Sequence, residues 1–239
     1  MSGHNKWSKV KNVKGKEDAK RAQAFTKISR MIMVAVREGG SDPAYNSSLK
    51  MAIDKAKAEN MPNDNINRAI KKAAGQDEGR DFVSLNYEGY GPNGVAIIVA
   101  CLTDNKNRTA ANIRHYFDKF GGNLGTEGSV TFQFDFKGLF SIPANDLDED
   151  QVLMDALDAG AEDVRKEDEA YLVISAPGSF QEVHEGLVEK GYDLQMAQTG
   201  YLPKNTVAIT DPEQLKNLDL LIDSLEDDDD VQDVYSNIE

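Results

Sequence analysis

The chain has 239 residues, 40% of them hydrophobic, and a formal net charge of −14. That apolar share is enough to build globular cores and excludes wholesale disorder, while the longest early apolar run, Met31 to Val36, is too short for a signal-peptide core or a membrane span. The single Cys101 excludes an internal disulfide and a cysteine-rich zinc site, so the expectation is a cytoplasmic protein with no membrane partner.

Charge is unevenly spread. Residues 1–80 hold 17 Lys and Arg against 9 Asp and Glu, a balance of +8, whereas the remaining 159 residues carry −22. Fields act locally, so a basic front end on an acidic body is more informative than the overall sign.

In chain order, Met1 to Lys16 has little apolar content and reads as an extended, solvated arm. Helical periodicity starts near Glu17, with Phe25, Ile28, Ile32 and Ala35 at three- and four-residue spacing, and Gly39-Gly40 ends it. Asp42 and Pro43 open a second helix whose apolar face is Leu49, Ala52, Ile53 and Ala56, and Pro62 stops it. Asn63 caps a third through Ile66, Ala69, Ile70 and Ala73. The charged stretch Gly75–Gly79 reads as a linker.

After Arg80 strands and helices alternate. Val95–Leu102 reads as a buried strand, Thr109–Phe120 as a helix and Ser129–Phe134 as a strand. Residues 137–203 show a complete βαββαβ order: strand Leu139–Ile142, helix around Val152 to Leu157, strands near Val164 and at Tyr171–Ser175, helix around Phe180 to Leu187, and strand Asp193–Ala197. The tail adds a strand (Val207–Thr210), a helix (Leu215 to Leu225) and a strand (Val231–Tyr235). Segments 95–134 and 206–236 are each half a unit. The expected fold is therefore α+β: a three-helix domain followed by two ferredoxin-like βαββαβ domains, the last inserted into the middle one. The boundaries are 1–79 for the arm and helices, 80–136 with 204–239 for the discontinuous domain, and 137–203 for the insertion.

No motif points to catalysis. Gly89-Tyr90-Gly91-Pro92-Asn93-Gly94 matches G-x-G-x-x-G, but a strand follows it where a dinucleotide site needs a helix N-terminus, so it reads as a β-turn. Gly121–Gly128 lacks the Lys-Ser/Thr of a phosphate loop. His4, His115 and His184 show no metal-ligand spacing, Cys101 lies in a buried strand, and Glu226–Asp230 reads as a solvated acidic loop. No catalytic residue, metal or cofactor is expected.

The basic front end is the candidate site. At about 100° per residue, Lys20, Lys27, Arg30 and Arg37 form one stripe of the first helix, opposite its apolar side, and Arg21 lies in its first turn. The arm adds Lys6, Lys9, Lys11, Lys14 and Lys16, giving ten basic against two acidic residues through Arg37. A merely solvated helix face would not need that concentration in an acidic protein. These residues are the candidates for nucleic-acid contact. Trp7 either stacks on a base or packs the arm onto the helices. Lys106, Arg108, Arg114 and Lys119, with His115 among them, form a secondary candidate.

The opening Gly3-His4-Asn5-Lys6-Trp7-Ser8, together with Ala19-Lys20-Arg21, Phe25-Thr26-Lys27, Arg37-Glu38-Gly39-Gly40 and Asn60-Met61-Pro62, resembles the YebC/PmpR family. So do Tyr87-Glu88-Gly89-Tyr90-Gly91-Pro92, Leu102-Thr103-Asp104-Asn105, Asn107-Arg108-Thr109 and the run from Gly121 to Val130. The resemblance spans nearly the whole chain. It implies a cytoplasmic three-domain α+β protein with its third domain inserted in the second. Bacterial members are described as probable DNA-binding transcriptional regulators. Others, including the mitochondrial translational activator of cytochrome oxidase, act on translation. The expected function is thus a nucleic-acid-binding regulator, DNA-binding and transcriptional. The alternative is a ribosome-associated factor that binds rRNA and relieves stalling at proline-rich sequences. A weaker one is a small-molecule sensor or enzyme on the ferredoxin-like domains.

Overall fold

The computed structural model describes residues 17–75, 82–144, 147–167 and 169–239, with side chains from residue 21 onward. The elements are α1 (Glu17–Gly39), α2 (Ser47–Ala58), α3 (Asn63–Ala74), β1 (Val83–Tyr90), β2 (Ala96–Thr103), α4 (Lys106–Lys119), β3 (Asn123–Leu124) and β4 (Phe134–Pro143). They continue with α5 (Glu149–Asp158), β5 (Asp163–Glu167), β6 (Ala170–Ser175), α6 (Phe180–Glu189), β7 (Met196–Pro203), α7 (Pro212–Glu226) and β8 (Val231–Ser236). The fold is α+β, with an N-terminal helical region and two four-stranded antiparallel sheets.

The three helices bury most of the apolar positions that periodicity assigns to them, with Ile53, Ile70 and Ala73 only partly buried. Ile28, Ile32, Ala35, Leu49, Ala52, Ala56, Ile66 and Ala69 share one core, with Phe25 packed at its edge. Gly40, at φ +86°, closes α1 by donating its N–H to the Val36 carbonyl at 2.8 Å. The second helix starts later than Asp42. Asp42 instead accepts from the Ala44 N–H in a separate turn, and Asn46 is the cap. Asn46 accepts from the Leu49 N–H at 3.0 Å, and its amide donates to the carbonyls of Ala35 (2.7 Å) and Gly40 (2.8 Å). One side chain therefore closes one helix end and opens the next.

The first sheet has the strand order β3-β1-β2-β8. Its central hairpin, β1 with β2, holds a strand that the glycine motif obscured: Val83, Leu85 and Tyr87 alternate with Ser84, Asn86 and Glu88 at strand period. The G-x-G-x-x-G run closes this hairpin. The Gly91 N–H bonds the Val95 carbonyl at 2.8 Å, with Asn93 and Gly94 at positive φ. Chain order in this sheet is thus ββα β…αβ, with the ferredoxin-like set of four strands and two helices arranged differently along the chain.

Two expected strands are absent at their expected places. Val130 and Phe134 are buried but Phe132 between them is 66% exposed, so no regular alternation exists and Thr131–Gln133 forms a single 3-10 turn. The chain enters β4 only at Phe134, and β4 belongs to the second sheet. Val207 makes one isolated parallel bridge to Ile238 rather than a strand.

The second sheet has the order β5-β6-β4-β7, which is the split βαβ pattern read from the sequence. On its helix-covered face Phe140 stacks on Phe180 of α6, ring centroids 4.8 Å apart, with His184 beside both. The chain falls into two compact units. One comprises Val130–Ala208 with Tyr235–Glu239; the other comprises the described residues up to Ser129 with Ile209–Val234.

Gly89 supplies a direct test of why glycine sits in that motif. A Cβ there would come within 2.7 Å of both the Asn123 carbonyl and the Phe117 ring. Gly89→Ala should therefore lower stability by about 1–3 kcal/mol through overpacking. Chemical denaturation of the variant checks it.

Candidate nucleic-acid interface

The arm residues Lys6, Trp7, Lys9, Lys11, Lys14 and Lys16 lie outside the described residues, as do the Lys20 side chain and linker residues 76–79. Of the remaining candidates, the structure divides α1 and α4 cations into two groups.

Lys27, Arg30 and Arg108 converge on the acidic segment that follows α7. Lys27 is half-buried, and its Nζ donates to the Glu226 carbonyl at 2.6 Å. Burial pushes its pKa down, while the carboxylates of Glu226, Asp233, Asp228 and Asp229 act in the other direction. Arg30 donates to the Asp229 carbonyl and to Asp230 Oδ1 (2.9 Å), and its guanidinium lies 5.4 Å from the centre of the Phe82 ring. Gln23 donates to the Asp227 carbonyl, on the same side of α1. Arg108 grips Asp230 Oδ2 with both Nη2 (2.6 Å) and Nε (3.2 Å), and reaches Asp104 at 2.9 Å.

Asp230 is the hub, with its side chain only 4% exposed. Besides the two arginines it receives the Thr109 hydroxyl at 2.8 Å and the Thr103 hydroxyl at 3.2 Å. Burial would raise its pKa, but hydrogen bonds from Arg108, Thr109 and Arg30 and the Arg108 charge outweigh that and hold the carboxyl below the ordinary value. Asp228, also buried, accepts from Asn112 (3.1 Å), Tyr116 (3.2 Å) and the Asp230 N–H (2.9 Å). The reading of Glu226–Asp230 as a solvated loop is therefore corrected: alternate residues point inward because the segment feeds directly into β8, whose first residue Val231 is buried.

The second group faces solvent. Arg21 and Arg37 on α1 are exposed, as are Lys106, Arg114 and Lys119 on α4, and Lys119 Nζ sits 4.9 Å from the centre of the Phe120 ring. Asn105 fixes the start of α4 by accepting from the Arg108 N–H at 3.1 Å, and Thr103 accepts from the Asn105 N–H at 2.9 Å. The cations of α4 and the Asp230 hub are thus anchored on adjoining residues.

Among the described residues, no group of three or more His, Cys, Asp and Glu is placed to hold a metal ion, and no helix is long and apolar enough to cross a membrane. Cys101 is buried, and burial pushes its thiol pKa up, with the charges of Asp228 and Asp230 adding to that. Sequence reasoning missed Asp230, Gln23, Thr103 and Thr109. A signal existed: a basic helix stripe and an acidic run in one chain are natural partners, yet nothing local joins residues 200 positions apart.

Residues 5–76 match the family model for the TACO1/YebC protein N-terminal domain, and residues 82–238 match that for the TACO1/YebC second and third domain. A Finegoldia magna protein named "Probable transcriptional regulatory protein" is 57% identical over 99% of this chain and 98% of its own length. A similarly named protein of Clostridioides difficile is 54% identical over 95% of this chain and 96% of its own. The crystal structure of a conserved hypothetical protein from Aquifex aeolicus is 44% identical, covers 98% of this chain and 96% of its own, and superposes with a TM-score of 0.88. Sequence, both family models and a solved fold agree along nearly the full length, and the chain belongs to the TACO1/YebC family.

Proposed function

We propose that this protein is a nucleic-acid-binding regulator, acting on transcription through DNA, whose affinity comes mainly from phosphate contacts of its N-terminal arm and α1, with α4 as a secondary contact. The observation that carries this reading is the solvent-facing positive charge of the two helices. While the acidic segment engages Lys27, Arg30 and Arg108, the side chains of Arg21, Arg37, Lys106, Arg114 and Lys119 are exposed on α1 and α4, in a chain whose net charge is strongly negative. The arm contributes five more lysines and Trp7. Cations of this kind fix a protein on a sugar-phosphate backbone without reading bases. The names of the relatives support regulation rather than enzymatic turnover. In this reading residues 1–79 form the principal binding part, and α4 adds a second contact from the body of the protein, which is cytoplasmic and needs no cofactor.

Crosslinking in living cells tests it. After ultraviolet irradiation and denaturing purification, the expected result is covalently bound nucleic acid, with adducts on peptides from the arm and α1. Discrete promoter fragments support the transcriptional reading, whereas enrichment of ribosomal RNA supports the translation factor instead. Recovery no higher than from unirradiated cells contradicts both.

A further inference from the structure

Gln23, Lys27 and Arg30 lie at spacings of four and three and occupy one side of α1. All three donate to one target, the segment Glu226–Asp230. Two of the acceptors, the carbonyls of Glu226 and Asp227, belong to the C-terminal end of α7. Terminal helix carbonyls lack intrahelical partners and carry the negative end of the helix dipole. Donors from α1 satisfy them from outside, as a C-cap would.

This attachment differs in kind from the packing inside the three helices. Among the described residues, the buried helical core runs from Ile28 to Ala69 and lies within the three helices and their connections. Among the described residues, the hydrogen bonds from α1 to the acidic segment come from the polar tips of three long side chains, and the Arg30 guanidinium also lies over Phe82. Phosphate oxygens present the same acceptor chemistry with full negative charge. Asp230 has anchors that do not involve α1: Thr103, Thr109 and Arg108 hold its carboxylate, and the Leu102 N–H bonds its carbonyl at 2.8 Å.

We propose that the Glu226–Asp230 segment is an internal competitor for nucleic acid: Lys27 and Arg30 serve either this segment or phosphate, and α1 leaves the segment when the protein binds tightly. The proposal rests on the nucleic-acid reading above and adds a regulatory step to the same site. When only the released fraction of molecules is competent, apparent affinity falls by that fraction. Weakening the intramolecular contact must then strengthen binding.

Gln23 allows a test free of charge effects, because Gln23→Ala removes a hydrogen bond to the Asp227 carbonyl without altering any charge. The full-length chain is titrated against a labelled homopolymeric single-stranded RNA and a labelled mixed-sequence DNA duplex at fixed salt. The expected result is that Gln23→Ala binds about threefold to fivefold more tightly than the wild type, the effect of one net hydrogen bond. A second variant, Asp227→Asn with Asp229→Asn, neutralises two exposed carboxylates of the segment. Its control, Glu213→Gln with Asp223→Asn, neutralises two exposed carboxylates elsewhere on α7. The first pair should tighten binding more than the second. Wild-type affinity, or weaker, for Gln23→Ala, together with equal effects of the two pairs, overturns the competition. Failure of the wild type itself to bind either probe overturns the nucleic-acid reading on which it stands.

Discussion

Asp230→Ala is expected to lower the stability of the chain by about 3–5 kcal/mol, the range for breaking a buried ion pair and leaving its partners unmatched. Arg108 is 44% exposed and can turn to water, so its share of that loss is screened. The larger share falls on Arg30, 16% exposed, and on the buried Thr103 and Thr109 hydroxyls, which lose their common acceptor. Asp230→Asn should cost less, because the amide keeps the shape and one acceptor oxygen. The same residue makes stability depend on pH. Its folded pKa is depressed, so its contribution is fully present above the unfolded carboxylate value of about 3.9 and is lost as pH falls through the lower folded value. Urea unfolding at neutral and acid pH should show the gap between wild type and Asp230→Ala narrowing as the pH drops below about 4.

A chain ending before Asp211 should lose the cooperative unfolding of the first sheet altogether. That truncation removes α7 and β8, and with them buried Leu218, Leu221, Ile222, Leu225 and Val231. Leu218 and Leu221 lie against the β1–β2 turn near Gly91, and β8 covers the outer edge of β2. Burial of a large aliphatic side chain contributes about 1.5–3 kcal/mol each, so losing these five is comparable to the whole stability of a typical domain. Hydrogen exchange reads the outcome: amides of β1 and β2 should exchange with no protection in the truncated chain. Wild-type protection there would show that the sheet stands without its C-terminal elements.

The helices were legible because their signals are local. Apolar spacing marks the buried side of α1, α2 and α3, and glycine or proline marks their ends. The second sheet was legible in its order of elements, although its last strand begins at Met196, later than the expected Asp193, and its short β5 and half-buried β7 show no strand period. The first sheet was less so. β3 is two residues long and too short to show any period, and the alternation of β1 was overshadowed by the glycines that end it. In the candidate site, periodicity showed that Lys27 and Arg30 share a stripe but could not show what faces them. Their partners lie about two hundred residues downstream, where a run of carboxylates looks solvated unless the burial of Asp228 and Asp230 is known.

The dependence of binding on salt tests most directly the claim that phosphate charge, delivered from the N-terminal arm and α1, gives this protein its affinity for nucleic acid. With about six cations on phosphates, log affinity should fall against log salt with a slope of roughly −5 on duplex DNA and near −4 on single strands. Converting Lys9, Lys11, Lys14 and Lys16 to Gln should flatten the duplex slope by about three to four units, at about 0.9 per contact, and leave melting unchanged. A four-lysine variant that binds with an unaltered slope would contradict the account and move the binding element to the α4 cations Lys106, Arg114 and Lys119.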